Sequence, residues 1–160
     1  MNGRARQAVL LAACVSLPLV AGALSAVFTN SAVNSWYAGL AKPWFNPPDL
    51  VFMPAWTVLY ILMGFSLYLV LRGSPAARNR NPAAVLFAVQ LCLNVLWPFL
   101  FFGLRLPGIA LAEITVMLVF IALTVACFLR ISRTAALLLV PYFCWTCFAL
   151  VLNAAIVILN

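Results

Sequence analysis

Five long apolar runs decide what this chain can fold into. They cover residues 7–28, 50–71, 82–102, 106–129 and 134–159. A helix needs about 20 apolar residues to cross a bilayer, and each run is long enough. Lipid offers the backbone no hydrogen bonds, so each run must satisfy its own as a helix. The alternation of a transmembrane strand is absent. The runs use up most of the 160 residues and leave no room for a soluble domain. The expected fold is all-α: one domain over residues 1–160, an integral membrane bundle of five transmembrane helices.

Composition supports this reading. Hydrophobic residues make up 68% of the chain and charged residues 7%, too few to cover a soluble surface. A soluble domain carries roughly 25% charged residues. Mean hydropathy is +1.18. Disorder and coiled coils are excluded by the same shortage. The net charge of +7 suggests nucleic acid, but the nine cations are scattered at the ends of the runs and form no patch. No nucleic-acid partner is expected. The cations read better as a topology signal. One side holds Arg4, Arg6, Arg72, Arg78, Arg80, Arg130 and Arg133, and the other Lys42 and Arg105. Seven against two is a positive-inside bias. It predicts a cytoplasmic N-terminus, with the first loop and the C-terminus facing outward.

The first run has a competing reading. Arg4 and Arg6 before an apolar stretch ending in Ala21-Gly22-Ala23 resemble a signal peptide, and Leu11-Ala12-Ala13-Cys14 resembles a lipobox. The run is too long for ordinary cleavage, and the stretch before Cys14 is too short for a lipobox. A retained helix is the expectation. Cys14, Cys92, Cys127, Cys144 and Cys147 all lie within apolar runs and are expected to be small buried hydrophobes. Cys144 and Cys147 form a C-x-x-C with no second pair and no histidine.

Polar residues inside the runs are costly in lipid and so informative. Gln90 and Asn94 lie four apart on one face of the third run, and Trp97 follows three later. Tyr142, Trp145, Ala149 and Asn153 form a stripe on the fifth, and Trp56 and Tyr60 share a face of the second. Such stripes serve as interhelical contacts or interface anchors. They also suit a pocket, where aromatics stack on a flat apolar ligand and an amide fixes its orientation. Glu113 is the one carboxylate inside a run. It is either paired with a neighbouring helix, held protonated, or an acidic site in transport.

The loop over residues 29–49 is unlike a solvent loop. Its stretch from Trp36-Tyr37 to Lys42-Pro43-Trp44-Phe45-Asn46-Pro47-Pro48 is dense in aromatics and prolines. The aromatics should fold down onto the helix ends, and the prolines lower the entropy cost of holding one shape. This describes a lid; the alternative is a segment lying on the bilayer. With no histidine and two carboxylates, Asp49 and Glu113, no metal site, triad or acid–base pair can be assembled. No catalytic residue and no required cofactor are expected.

Three stretches together resemble the tryptophan-rich sensory protein and translocator protein family, TspO/MBR. The first is Trp36-Tyr37 with Lys42-Pro43-Trp44-Phe45-Asn46-Pro47-Pro48, Trp56-Thr57-Val58-Leu59-Tyr60 and Met63-Gly64. The second is Gln90-Leu91-Cys92-Leu93-Asn94 with Trp97-Pro98 and Phe101-Phe102-Gly103. The third is Pro141-Tyr142-Phe143-Cys144-Trp145 with Phe148-Ala149 and Leu152-Asn153. The resemblance implies five transmembrane helices, a homodimer, and a pocket under the first loop for porphyrins such as protoporphyrin IX. It also implies sterols in some members, and synthetic isoquinoline carboxamide and benzodiazepine ligands. The positions matching the family's pocket are Trp56, Tyr60, Asn94, Trp97, Trp145 and Ala149, with Trp44 and Pro47 in the covering loop. Gln90 and Phe148 complete the candidate pocket, and Trp36 the candidate lid.

One departure is visible. The sterol motif of animal members needs a Tyr and then a basic residue after Leu-Asn, and neither follows Leu152-Asn153 here. Such motifs are weak evidence. The end of the chain fits a bacterial membrane better than a mitochondrial one. Three functions follow as expectations. The first is a receptor, sensor or carrier for porphyrins and related flat molecules. The second is light-driven porphyrin degradation through Trp56 and Trp145. The third is a structural or regulatory membrane protein without a ligand. Dimer formation has little support in the residues beyond small side chains four apart, such as Ala8, Ala12 and Ser16.

Overall fold

The computed structural model describes residues 3–33, 35–72 and 80–160. Among these residues five helices are long and apolar enough to cross a membrane, and there is no strand. They are α1 (Gly3–Val33), α2 (Asp49–Leu71), α3 (Arg80–Pro98), α4 (Pro107–Leu129) and α5 (Arg133–Leu159). The second-loop residues Gly73, Ser74, Pro75 and Arg78 lie outside the described residues.

The first helix outruns the expected boundary at residue 28 and continues to Val33. Its polar residues do not end it, because their hydroxyls are satisfied inside it. Ser25 Oγ donates to the carbonyl of Ala21 at 3.0 Å, and Thr29 Oγ1 to that of Ser25 at 3.1 Å. The loop therefore starts later than residue 29. The third helix ends differently again. Pro98 donates no amide to the helical ladder, and the chain widens at once into a π-helical turn, Phe99–Gly103. The Leu104 amide then reaches back to Phe99 O and that of Leu106 to Leu100 O, with Arg105 left-handed at φ 58°. Pro107 occupies the first turn of α4, where a missing amide costs nothing. Ser132 caps α5 by accepting the Ala135 amide.

The helices close into a ring in the order α1, α2, α5, α4, α3. Lipid tails are as apolar as the helices, so close packing and hydrogen bonds must hold them together. The backbones of α1 and α2 meet at Gly64, where a Cβ would lie 2.5 Å from Val15 Cα and 2.8 Å from Cys14 O. The centre holds Met63, Phe87, Ile114, Ile121, Phe128 and Leu139. Phe87 stacks on Phe128 at 6.1 Å, joining α3 to α4. Ser66 Oγ donates to Ala135 O at 2.6 Å, joining α2 to α5. Cys14 is buried as expected, but Cys92 and Cys144 are exposed on the outer surface. A thiol is small and apolar enough to face lipid as readily as a core. Arg4, Arg6, Arg72, Arg80, Arg130 and Arg133 gather at one end of the bundle, and Lys42 and Arg105 at the other.

Candidate functional site

A cavity of about 570 Å³ lies inside the ring at the end nearest the first loop. Helices α2, α3 and α5 bring Trp56, Tyr60, Asn94, Trp97, Trp145 and Ala149 to its wall. Each pair within a helix is three or four residues apart, so one face of each helix supplies them.

Hydrogen bonds tie these faces together at two heights. At the inner end, Tyr60 Oη donates to Asn94 Oδ1 at 2.8 Å, and Asn94 Nδ2 donates to Tyr142 Oη at 3.1 Å. Tyr142 Oη then points to Met117 Sδ at 3.7 Å. One amide thus joins α2, α3 and α5, and α4 is reached through the sulfur. Nearer the loop, Trp97 Nε1 donates to Asn153 Oδ1 at 3.2 Å, and Asn153 Nδ2 donates to Pro107 O at 2.9 Å. Both amides are buried, and each accepts one hydrogen bond and donates one, which orients their neighbours. Trp56 stacks on Tyr60 at 5.4 Å and meets Tyr142 edge-on at 6.2 Å. Among the described residues, the indole N–H groups of Trp56 and Trp145 have no hydrogen-bond partner, and both rings line the cavity.

Five expected residues lie elsewhere. Gln90 shares the Asn94 face but sits one turn deeper, fully buried, with neither amide atom partnered among the described residues. That depth is packed core, not cavity. Phe148 lies on an outer groove between α2 and α5 with Pro54, Val58 and Pro141, one position away from the inward face. Trp36 packs edge-on against Phe101 at 5.8 Å, outside the wall. Trp44 is 94% exposed, with an edge contact to Phe45 at 5.6 Å. Pro47 is half-buried and serves through its carbonyl, which accepts from Asn46 Nδ2.

The loop residue that does reach the cavity is Tyr37. A short 3-10 turn, Tyr37–Gly39, points its ring inward against Phe101 and Phe102. Its hydroxyl donates to Asn46 Oδ1 at 3.0 Å, and Lys42 Nζ sits 4.4 Å from the ring centre. Burial, helped by the charge of Asp49, pushes the hydroxyl up to about 12, against the pull of the Asn46 hydrogen bond. It therefore stays protonated and donating at neutral pH.

The wall supplied by α1 was not foreseen. Gly22, Ser25, Ala26 and Thr29 line it together with the exposed Ala23 and Asn30, and the exposed Met53 and Thr57 of α2 line the cavity beside them. Gly22 makes room for the Tyr60 ring, which occupies the place a Cβ would take. No spacing rule picks out a small residue whose value depends on another helix. Glu113 is buried behind the wall beside Ile114 and Met117, which line the cavity. Neither of its oxygens has a partner among the described residues, so of the three alternatives for Glu113 the pairing with a neighbouring helix is not made. Among the described residues no three His, Cys, Asp or Glu side chains cluster in a way that could hold a metal.

Comparison with known proteins agrees with this architecture. The model of the TspO/MBR family matches residues 14–159. A tryptophan-rich protein TspO from Chlorobaculum tepidum is 43% identical over 97% of this chain and 98% of its own length. A tryptophan-rich sensory protein from Cereibacter sphaeroides is 40% identical over 94% of this chain and 88% of its own. The translocator protein of Bos taurus is 38% identical over 86% of this chain and 82% of its own. With five membrane-spanning helices and a family match across nearly its whole length, this chain is a multi-pass integral membrane protein of the TspO/MBR family.

Proposed function

We propose that this protein is a membrane receptor, sensor or carrier that holds porphyrins and related flat hydrophobic molecules in the cavity under the first loop. The observation that carries this is the cavity wall. Among the described residues it combines stacked aromatic rings and two unpartnered indole donors, with one carboxylate, Asp49, and no cation. A volume of about 570 Å³ falls within the usual range for small-molecule pockets. Flat rings suit the faces of Trp56 and Trp145, and a hydrogen-bond acceptor on the ligand suits their N–H groups. The oriented amides of Asn94 and Asn153 hold the wall in shape before the ligand arrives, which lowers the cost of binding. Applied to the two bundle ends, the positive-inside rule supports a cytoplasmic N-terminus with the first loop outside.

Titration with protoporphyrin IX, read by tryptophan fluorescence in detergent, tests the reading. Wild type should quench saturably. Trp56→Phe and Trp145→Phe should each weaken binding about tenfold, the worth of one desolvated hydrogen bond plus some stacking. Unchanged affinity in both variants would remove the cavity as the site.

A further inference from the structure

We propose that Asn160 is the latch that holds the first loop shut over the cavity, and so sets how long a ligand remains inside. Its control of residence time rests on the binding reading above; the latch itself does not.

The Asn160 side chain meets the backbone of Ala41 the way a neighbouring strand would. Its Oδ1 accepts the Ala41 amide at 3.0 Å, and its Nδ2 donates to the Ala41 carbonyl at 3.1 Å. The two residues are 119 positions apart in the chain. The same Nδ2 also donates to Ile156 O at 2.9 Å, which fixes the side chain at the end of α5. Ile156 lines the cavity and packs in one buried cluster with Tyr37. Wall, latch and lid are therefore linked in series: Ile156, Asn160, Ala41, Tyr37.

At its start the loop is tied to α1 by Ser35, whose amide and hydroxyl donate to the Ala32 carbonyl at 3.2 and 3.3 Å. Further along, its other holds differ in kind. The rings of Trp36, Tyr37 and Phe45 touch those of Phe101, Phe102 and Phe148, contacts that tolerate sliding. The Tyr37–Asn46 hydrogen bond lies within the loop and would travel with it. The Asn160 pair is directional, spans loop and helix, and is exposed to water. Exposed hydrogen bonds are individually weak. A hold of that strength opens and recloses readily, which is the behaviour of a latch.

The test compares the full chain in detergent with Asn160→Ala and with Asn160→Asp, which keeps the acceptor for Ala41 and loses both donations. Two quantities are read: amide hydrogen exchange across residues 36–47, and release of protoporphyrin IX followed by fluorescence recovery. The Gly39 and Leu40 amides donate to Trp36 O and Tyr37 O, not to Asn160. If Asn160 holds the whole lid, these two amides exchange about three- to tenfold faster in Asn160→Ala, with Asn160→Asp between. Release of the porphyrin accelerates by a similar factor. Faster exchange confined to Ala41 overturns the latch. Faster exchange of the whole lid with unchanged release overturns its control of residence time. A wild type that shows no saturable quenching overturns the binding reading alone, and the exchange data still decide the latch.

Discussion

Gly22 shows how far the cavity depends on residues that bring no chemistry of their own. A methyl group there would fall on the Tyr60 ring. The ring is the movable end of a side chain, so it would swing aside and give up its 2.8 Å hydrogen bond to Asn94. Gly22→Ala is expected to cost about 1 kcal/mol of stability and weaken protoporphyrin IX binding about tenfold. A thermal melt beside a fluorescence titration separates the two effects, and an unchanged titration would detach Tyr60 from the site. The same residue marks the limit of what spacing can reveal. Trp56, Tyr60, Asn94, Trp97, Trp145 and Ala149 were legible because residues three or four apart share a helix face. Depth along that face is not legible in spacing: Gln90 shares the face with Asn94 but sits one turn below it, in packed core. Gly22 gave no signal, since its role exists only once Tyr60 lies against it.

At the scale of elements, the connection from α3 to α4 was legible as short and illegible in form. Nothing in Phe99-Leu100-Phe101-Phe102-Gly103 announces a π-helical turn. It follows from Pro98, which withholds an amide from the ladder, and from the need to turn within a few residues. The reversal ends with a hydrogen bond from the Leu106 amide to Leu100 O across a left-handed residue, one residue wider than the common helix-end bond because the turn is π-helical. Glycine usually occupies that place, but here it is Arg105 at φ 58°. An L side chain pays about 1 kcal/mol for this conformation. Arg105→Gly is therefore expected to stabilise the protein by about that amount, and Arg105→Val to destabilise it. Melting midpoints in one detergent decide the point; a lower midpoint for the glycine variant would mean that the arginine side chain itself holds the turn. The lid was legible in outline for a similar reason. Its aromatics and prolines predicted a folded cover, but which ring turns inward was settled by the 3-10 turn at Tyr37–Gly39 and not by composition.

For the whole molecule, five spans could be counted from hydropathy, yet the order in which they close could not. The polar and aromatic stripes on α2, α3 and α5 mark an inward side, but helices apolar on nearly every other face do not say which neighbour each one meets. In lipid the ring must be specified by fit, and at Gly64 α1 and α2 touch backbone to backbone. The cavity lies on the loop side of this joint, lined in part by Gly22 and by the Tyr60 ring packed against it. The joint thus anchors α1 as a cavity wall without filling the space above it. Gly64→Ala would press a methyl group against Val15 Cα and Cys14 O, atoms that cannot rotate away. The whole of α1 would have to shift, at a cost of about 1–3 kcal/mol. Gly108→Ala is the matching control, because it lies in a helix with nothing within 4 Å of the added group. It should be neutral or stabilising by up to about 1 kcal/mol, since alanine is the better helix former. If the ring is held by fit, Gly64→Ala melts earlier than Gly108→Ala and also loses affinity for protoporphyrin IX, because the displaced helix carries Gly22, Ser25 and Thr29 with it. Equal melting of the two variants would place the hold on α1 elsewhere, along its contact with α3.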